Sequence, residues 1–343
     1  MMTKKSVLIV IIAALIFAAG VDQLYAGSKN RMGTAGATEL LIPVGSRGTA
    51  LSGAMNAYAT GVDAIYWNPA GVARRTGVEA MFSHLSYIAD IGVQYFAVSS
   101  NFGDVGTFAV SLRNLSFGDI PITTVFQPEG TGGTFTPTYL TFGLTYSRAF
   151  TDRIYGGATV KLVSEKIMRS TASGLAFDFG VQYRSGETGI NLGVTLKNIG
   201  GGMKYDGPDL ERFVNLPNVE PGSRQRPLRI VSAGFEFPTT LEIGIAYPYV
   251  INDRNKVSVM ANFQNANFDA DEYRFGLEYD YDNMLYLRGG YAMSQFKTDY
   301  IFGPTFGLGL NIPFGDFRLA FDYAYRVTDL FDANQWFTIQ FSF

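Results

Sequence analysis

Cysteine is absent from the 343 residues, histidine occurs once, at His84, and charged side chains make up only 17% of the chain. Without cysteine there is no disulfide scaffold, thiolate metal site or cysteine nucleophile, and one histidine cannot build a histidine cluster; neither metal nor cofactor is expected. The 27 basic side chains nearly balance the 30 acidic ones, a net charge of -3, which gives no electrostatic footprint for nucleic acid or anionic lipid. Long apolar runs are also missing beyond residue 30. A mature chain in a membrane would therefore cross it as a closed β-barrel, which satisfies every backbone group without helices. What is plentiful is Phe (28), Tyr (20) and Gly (39). Aromatics and glycine with little charge suggest β-structure at a membrane rather than a soluble enzyme.

Residues 1–26 read as a signal peptide: Lys4 and Lys5 precede an apolar run from Val7 to Ala19, and Leu24-Tyr25-Ala26 is a plausible cleavage box. The run falls short of the ~20 residues a spanning helix needs.

From Val78 onward the chain breaks into segments whose apolar and polar positions alternate, as in half-buried strands. Phe317, Leu319, Phe321, Tyr323, Tyr325 and Val327 alternate with Arg318, Ala320, Asp322, Ala324 and Arg326; Tyr300, Phe302, Phe306, Leu308 and Leu310 share one parity against Gly303, Thr305, Gly307 and Gly309. The polar parity is rich in Gly, Ala, Thr and single charges of both signs, which suits a crowded lumen better than the Lys- and Glu-rich face of a soluble sandwich. The expected fold is all-β: a transmembrane antiparallel barrel of about fourteen strands over 77–343, an even number as such barrels require. Tight turns such as Thr151-Asp152, Asp282-Asn283 and Phe314-Gly315 follow even strands, and longer connections at 118–137 and 200–228 follow odd ones. That asymmetry predicts an outer-membrane location with both termini periplasmic. Phe337, Ile339, Phe341 and the C-terminal Phe343 resemble the insertion signal of outer-membrane barrels.

Residues 27–76 do not alternate and read as an N-terminal plug in the lumen, with a short helix expected between Gly48 and Ala59 and a turn at Asn68-Pro69. Here the Gly45-to-Ala54 block, the Ala64-Ile65-Tyr66-Trp67-Asn68-Pro69-Ala70-Gly71 block and Ser116-Phe117-Gly118-Asp119-Ile120-Pro121 resemble the PorV/PorQ branch of the FadL-like outer-membrane proteins. One departure is Leu51-Ser52-Gly53, where relatives often carry Met followed by two glycines. The resemblance implies a plugged barrel of a type IX secretion system that binds the C-terminal sorting domain of secreted cargo and passes it on for processing and surface attachment. Its partners would be that cargo, other secretion-system subunits and outer-membrane lipids, contacted through exposed loop residues Ile120, Pro121, Val125 and Phe126, and Phe213, Val214 and Leu216. The alternative is a FadL-like transporter of long-chain fatty acids or other hydrophobic small molecules held in the lumen. That mechanism needs an apolar pocket and a wall opened by a kinked strand, for which Gly156-Gly157 or Pro304 are candidates, although glycine in a barrel more often relieves crowding.

Enzyme chemistry finds little support. Ser83 and His84 are strand neighbours on opposite faces, Ser86 shares the parity of His84, and no third oriented partner is identifiable. Asp269, Asp271 and Glu272, and Asp280, Asp282 and Asn283, lack the spacing of a calcium loop and read as turn acids. The charges on the polar parity are Arg113, Lys161, Asp178, Arg184, Lys197, Glu242, Arg274, Glu278, Arg288, Arg318, Asp322 and Arg326. They are expected to pair across the lumen and hold the plug, because unpaired charge inside a barrel is costly.

Overall fold

The computed structural model describes residues 31–186, 189–214, 225–294 and 300–343. The expected signal peptide, 1–26, lies outside the described residues, as does Leu216. Fourteen antiparallel strands form one closed barrel. They are β1 (Val78–Ser86), β2 (Gly92–Asn101), β3 (Thr107–Ser116), β4 (Thr138–Ala149), β5 (Ile154–Ile167), β6 (Ser170–Arg184) and β7 (Asn191–Gly200), then β8 (Thr240–Asn252), β9 (Asn255–Ala266), β10 (Glu272–Tyr281), β11 (Leu285–Ser294), β12 (Phe302–Phe314), β13 (Phe317–Thr328) and β14 (Asn334–Ser342). Each neighbours the next in sequence, and β14 closes on β1 from Glu79 opposite Ser342 to Ser86 opposite Gln335. The tight turns gather at one end, where Phe343 exchanges backbone hydrogen bonds with Val78; the long loops gather at the other.

The alternation is obeyed on both faces. Outward positions such as Phe82, Phe96, Leu112, Phe142, Phe179 and Leu277 are exposed, forming the apolar band a bilayer requires, while Thr145, Gln182, Thr195 and Glu278 on the opposite parity are buried. At the tight-turn end, Phe102, Phe108 and Tyr146 pack together outside the wall, and Phe343 joins Phe314 and Phe317. Phe337 and Phe341 also face outward, as the period-two reading of the last strand requires.

Three register shifts interrupt the barrel ladders: one between β8 and β9 from Val250 to Asn252, near a tight turn, and two that redirect side chains into the lumen. Between β6 and β7, Lys197 and Asn198 together oppose Asp178, and Asn198 takes a left-handed φ of 58°, so two consecutive side chains point inward. Between β12 and β13 the register skips from Phe302 opposite Thr328 to Thr305 opposite Arg326. The extra residue at Gly303-Pro304 reverses parity, so Tyr300 and Phe302, expected to face lipid with Phe306 and Leu308, instead line the lumen. The same site interrupts the wall. β11 and β12 pair only from Leu285 opposite Leu310 to Gly290 opposite Thr305, leaving Tyr291–Ser294 without ladder partners on β12. Proline has no N–H to give to that ladder.

Residues 31–76 lie against inward-facing side chains around the ring. A single-turn helix, α1 (Ser46–Ala50), ends where Ser52 and Gly53 adopt φ of 51° and 82°, so the helix expected between Gly48 and Ala59 is shorter and starts earlier. A second turn, α2 (Ala64–Trp67), leads into a 3-10 helix at Pro69–Arg74, with the Asn68 side chain accepting from Ala70 N at 3.1 Å and proline in the first position.

Candidate functional site

Glycine on the inward parity determines how closely this segment approaches the wall. A Cβ at Gly157 would lie 2.4 Å from the Pro69 carbonyl, at Gly193 2.7 Å from Asn56 O, at Gly290 2.4 Å from Leu51 C, and at Gly307 2.4 Å from the Ala50 methyl. Gly180 and Gly276 meet Asn68 and Leu51 in the same way. Gly157 therefore relieves crowding and does not kink β5, whose ladders run unbroken past it.

The Tyr66-to-Gly71 block, read from sequence as the plug motif, forms the polar and aromatic anchor of the segment. Asn68 Nδ2 donates to Asn56 Oδ1 at 2.7 Å and to the Val181 carbonyl at 3.2 Å. Asn56 in turn accepts from Thr195 at its side chain and from Gln182 at its carbonyl, 2.7 and 2.8 Å. All four side chains are buried, and such networks hold one geometry because every lost partner leaves an unpaired polar group. Tyr66 and Trp67 stack edge to face at 4.8 Å, with Lys197 over both rings and Arg113 over Tyr66. Gly48 is needed beneath Trp67, whose ring would lie 2.2 Å from any Cβ there. Pro69, Ala70 and Gly71 are buried against β4 to β6.

The inward charges largely pair. Arg47 of α1 grips Glu278 through two hydrogen bonds of 2.9 Å, and Arg288 bridges Glu278 at 2.7 Å and Asp322. Lys197 meets Glu242 at 2.9 Å, Lys161 meets Asp178 at 2.6 Å, and Arg274 meets Glu272 at 2.8 Å. Arg113 donates to the Glu39 carbonyl and Arg184 to Gly186 O. Arg318 lines the tight-turn mouth, and Arg326 has no ion pair among the described residues. Sequence reasoning overlooked Arg47 and Glu39 because they lie outside any alternating segment. The available signal was that Arg47 is the one charge within the small-residue block.

Two cavities flank the segment. The one toward the long loops has a volume of about 590 Å³, within the range typical of small-molecule sites, and its walls include Leu41, Tyr87, Phe117, Tyr139, Trp67 and Phe302. The one toward the tight turns, about 360 Å³, is lined by charges that include Arg74, Arg75, Glu79, Lys256, Asp280 and Arg318. Glu39, buried beside the larger cavity, has its carboxyl pushed up to about 7 by burial and then by the neighbouring Glu165.

The remaining candidates are not brought together. Ser83 points inward and accepts from Thr338 at 2.9 Å, while His84 points outward beside Phe337 and Gln94. Asp271 accepts from Asn265 Nδ2, and Asp280 accepts from Asn283 N in its turn. Of the loop residues, Val125 and Phe126 are more than 90% exposed, Ile120, Pro121 and Phe213 are exposed, and Val214 is half-buried.

No family model matches the sequence, and no curated protein is similar to it. Solved structures are similar in fold. The toluene transporter TodX of Pseudomonas putida superposes with a TM-score of 0.56 at 15% identity, covering 86% of this chain and 96% of that one. The monoaromatic hydrocarbon channel CymD gives 0.53 at 13%, covering 88% and 98%, and the toluene transporter TbuX of Ralstonia pickettii gives 0.52 at 14%, covering 86% and 98%. The expected PorV/PorQ branch finds no support in these likenesses, which show a shared barrel fold.

Proposed function

We propose that the chain is an outer-membrane transporter of hydrophobic small molecules. The observation that carries this reading is the 590 Å³ cavity with aromatic and aliphatic walls, bounded on one side by Ala292 and by Phe302 and Gly303 at the point where β11 and β12 stop pairing. A solute entering between the long loops would meet aromatic and aliphatic side chains interspersed with charged ones such as Lys197 and Arg274, and the unpaired stretch at Tyr291–Ser294 would offer a way sideways into the bilayer. Residues 31–76 would act as the plug that prevents straight passage, since the inward glycines seat them against the wall. Short turns and both chain ends would face the periplasm, with Phe337 to Phe343 as the insertion signal.

Reconstitution into vesicles tests this reading. Uptake of toluene or oleate that exceeds protein-free vesicles supports it; uptake equal to the control sinks it. Val125 and Phe126, almost fully exposed at a loop tip, favour a second reading, a secretion-system barrel that docks cargo there. Co-purification of secreted proteins sharing a C-terminal β-domain would favour that role.

A further inference from the structure

Around the larger cavity the buried cations have partners within the chain, with one exception. Arg326 on β13 has Nε and Nη2 buried without a hydrogen-bond partner and makes no ion pair among the described residues. Its contacts are ring faces: the Phe302 centroid at 3.8 Å and the Trp336 centroid at 5.0 Å. Both rings are held in place, Phe302 by the Gly303-Pro304 bulge and Trp336 by donating Nε1–H to the Pro43 carbonyl at 3.1 Å. Among the acids lining the same cavity, Glu272 accepts from Arg274 and from Tyr300, Glu242 accepts from Lys197, and Glu39 makes no ion pair with Arg326. Directly across the strand pair from Arg326 stands Asn334, 0% exposed, with neither Nδ2 nor Oδ1 partnered. A guanidinium and an amide donor, side by side and both unsatisfied, are what a desolvated anion needs and what a neutral hydrocarbon cannot use.

We propose that Arg326 and Asn334 anchor the carboxylate of an aromatic acid whose ring lies among the ring faces of Tyr87, Phe302 and Tyr139. The planar fork of arginine matches a carboxylate, and the single unneutralised cation suits a single negative charge. The inference rests on the transport reading and narrows its substrate. The site lies beside the break between β11 and β12, so the anchored acid would wait next to that opening.

Calorimetric titration of the purified barrel with benzoate, toluene and dodecanoate tests it. Benzoate should bind the wild type at least about tenfold more tightly than toluene or dodecanoate, and Arg326→Gln should remove about tenfold or more of benzoate affinity while leaving toluene unchanged. Arg326→Lys should recover part of the loss, and Asn334→Ala should weaken benzoate by a smaller factor. Arg326→Gln should unfold at or above the wild-type temperature, because it removes an unpaired buried charge. A lower unfolding temperature would show a structural role and overturn the proposal. Toluene or dodecanoate binding as tightly as benzoate would overturn it while leaving transport standing; binding of none of the three would overturn both.

Discussion

The two cavities lie on opposite sides of one short segment and are built on the same fourteen strands, yet their walls differ in kind. On the long-loop side, Tyr66 and Trp67 turn rings toward the space, and bulges at Asn198 and Gly303-Pro304 redirect further side chains into it. On the tight-turn side, Arg47 enters the Glu278, Arg288 and Asp322 network. Paired charges make a seal; inward-turned rings make a room. The difference comes from which side chains face each space, since both halves draw on the same parity pattern.

The sharpest way to break that contrast is to open the seal. Arg288→Met strips Glu278 and Asp322 of a shared partner, both nearly fully buried. Loss of one member of a buried pair costs about 3–5 kcal/mol. Urea unfolding in lipid should show that loss, with solute binding in the larger cavity unchanged; a loss under about 1 kcal/mol would mean the tight-turn side is no seal.

Next comes pH. The folded Glu39 carboxyl titrates near 7 against an ordinary 4.5. It binds its proton more tightly in the folded state, so its stabilising effect is complete below about 4.5 and is lost as pH rises through about 7. The decline should reach at most about 3 kcal/mol, and Glu39→Gln should flatten it. An unchanged pH profile in that variant would place the titration elsewhere.

Gly290→Ala brings a methyl against the Leu51 backbone and should cost about 1–3 kcal/mol through overpacking. Ion conductance should rise as the segment shifts; a stable, tight variant would show that the glycines are not what seats it. Phe126→Ser should change stability by less than about 0.5 kcal/mol and leave solute uptake unaltered. Lost uptake would draw the long loops into the transport path.

Much of this was legible in the residues. Each strand is buried on one face, so parity indicated the antiparallel barrel of fourteen strands over 77–343. Parity fails where a bulge adds a residue, which is why Tyr300 and Phe302 were placed toward lipid. It also has nothing to say about a segment without period. The Gly and Ala content of residues 45–54 indicated close packing but not what they pack against, and the pairing of Arg47 with Glu278, 231 positions away, is set by the tertiary fold alone. The PorV/PorQ resemblance rested in part on the Asn68-Pro69-Ala70-Gly71 neighbourhood, whose visible work is to fasten the segment to β5 and β6, a task that does not depend on what the barrel carries.

The meeting of Phe343 with Val78 has a bearing on biogenesis. The strand that closes the ring, β14, follows the other thirteen in the chain, and residues 31–76 lead directly into β1. Once β14 has zipped onto β1, inward glycines such as Gly157 and Gly290 leave no clearance at the seated backbone for it to be threaded in afterwards. Residues 31–76 are therefore expected to be in place before β14 closes the seam, so that the wall is wrapped around them.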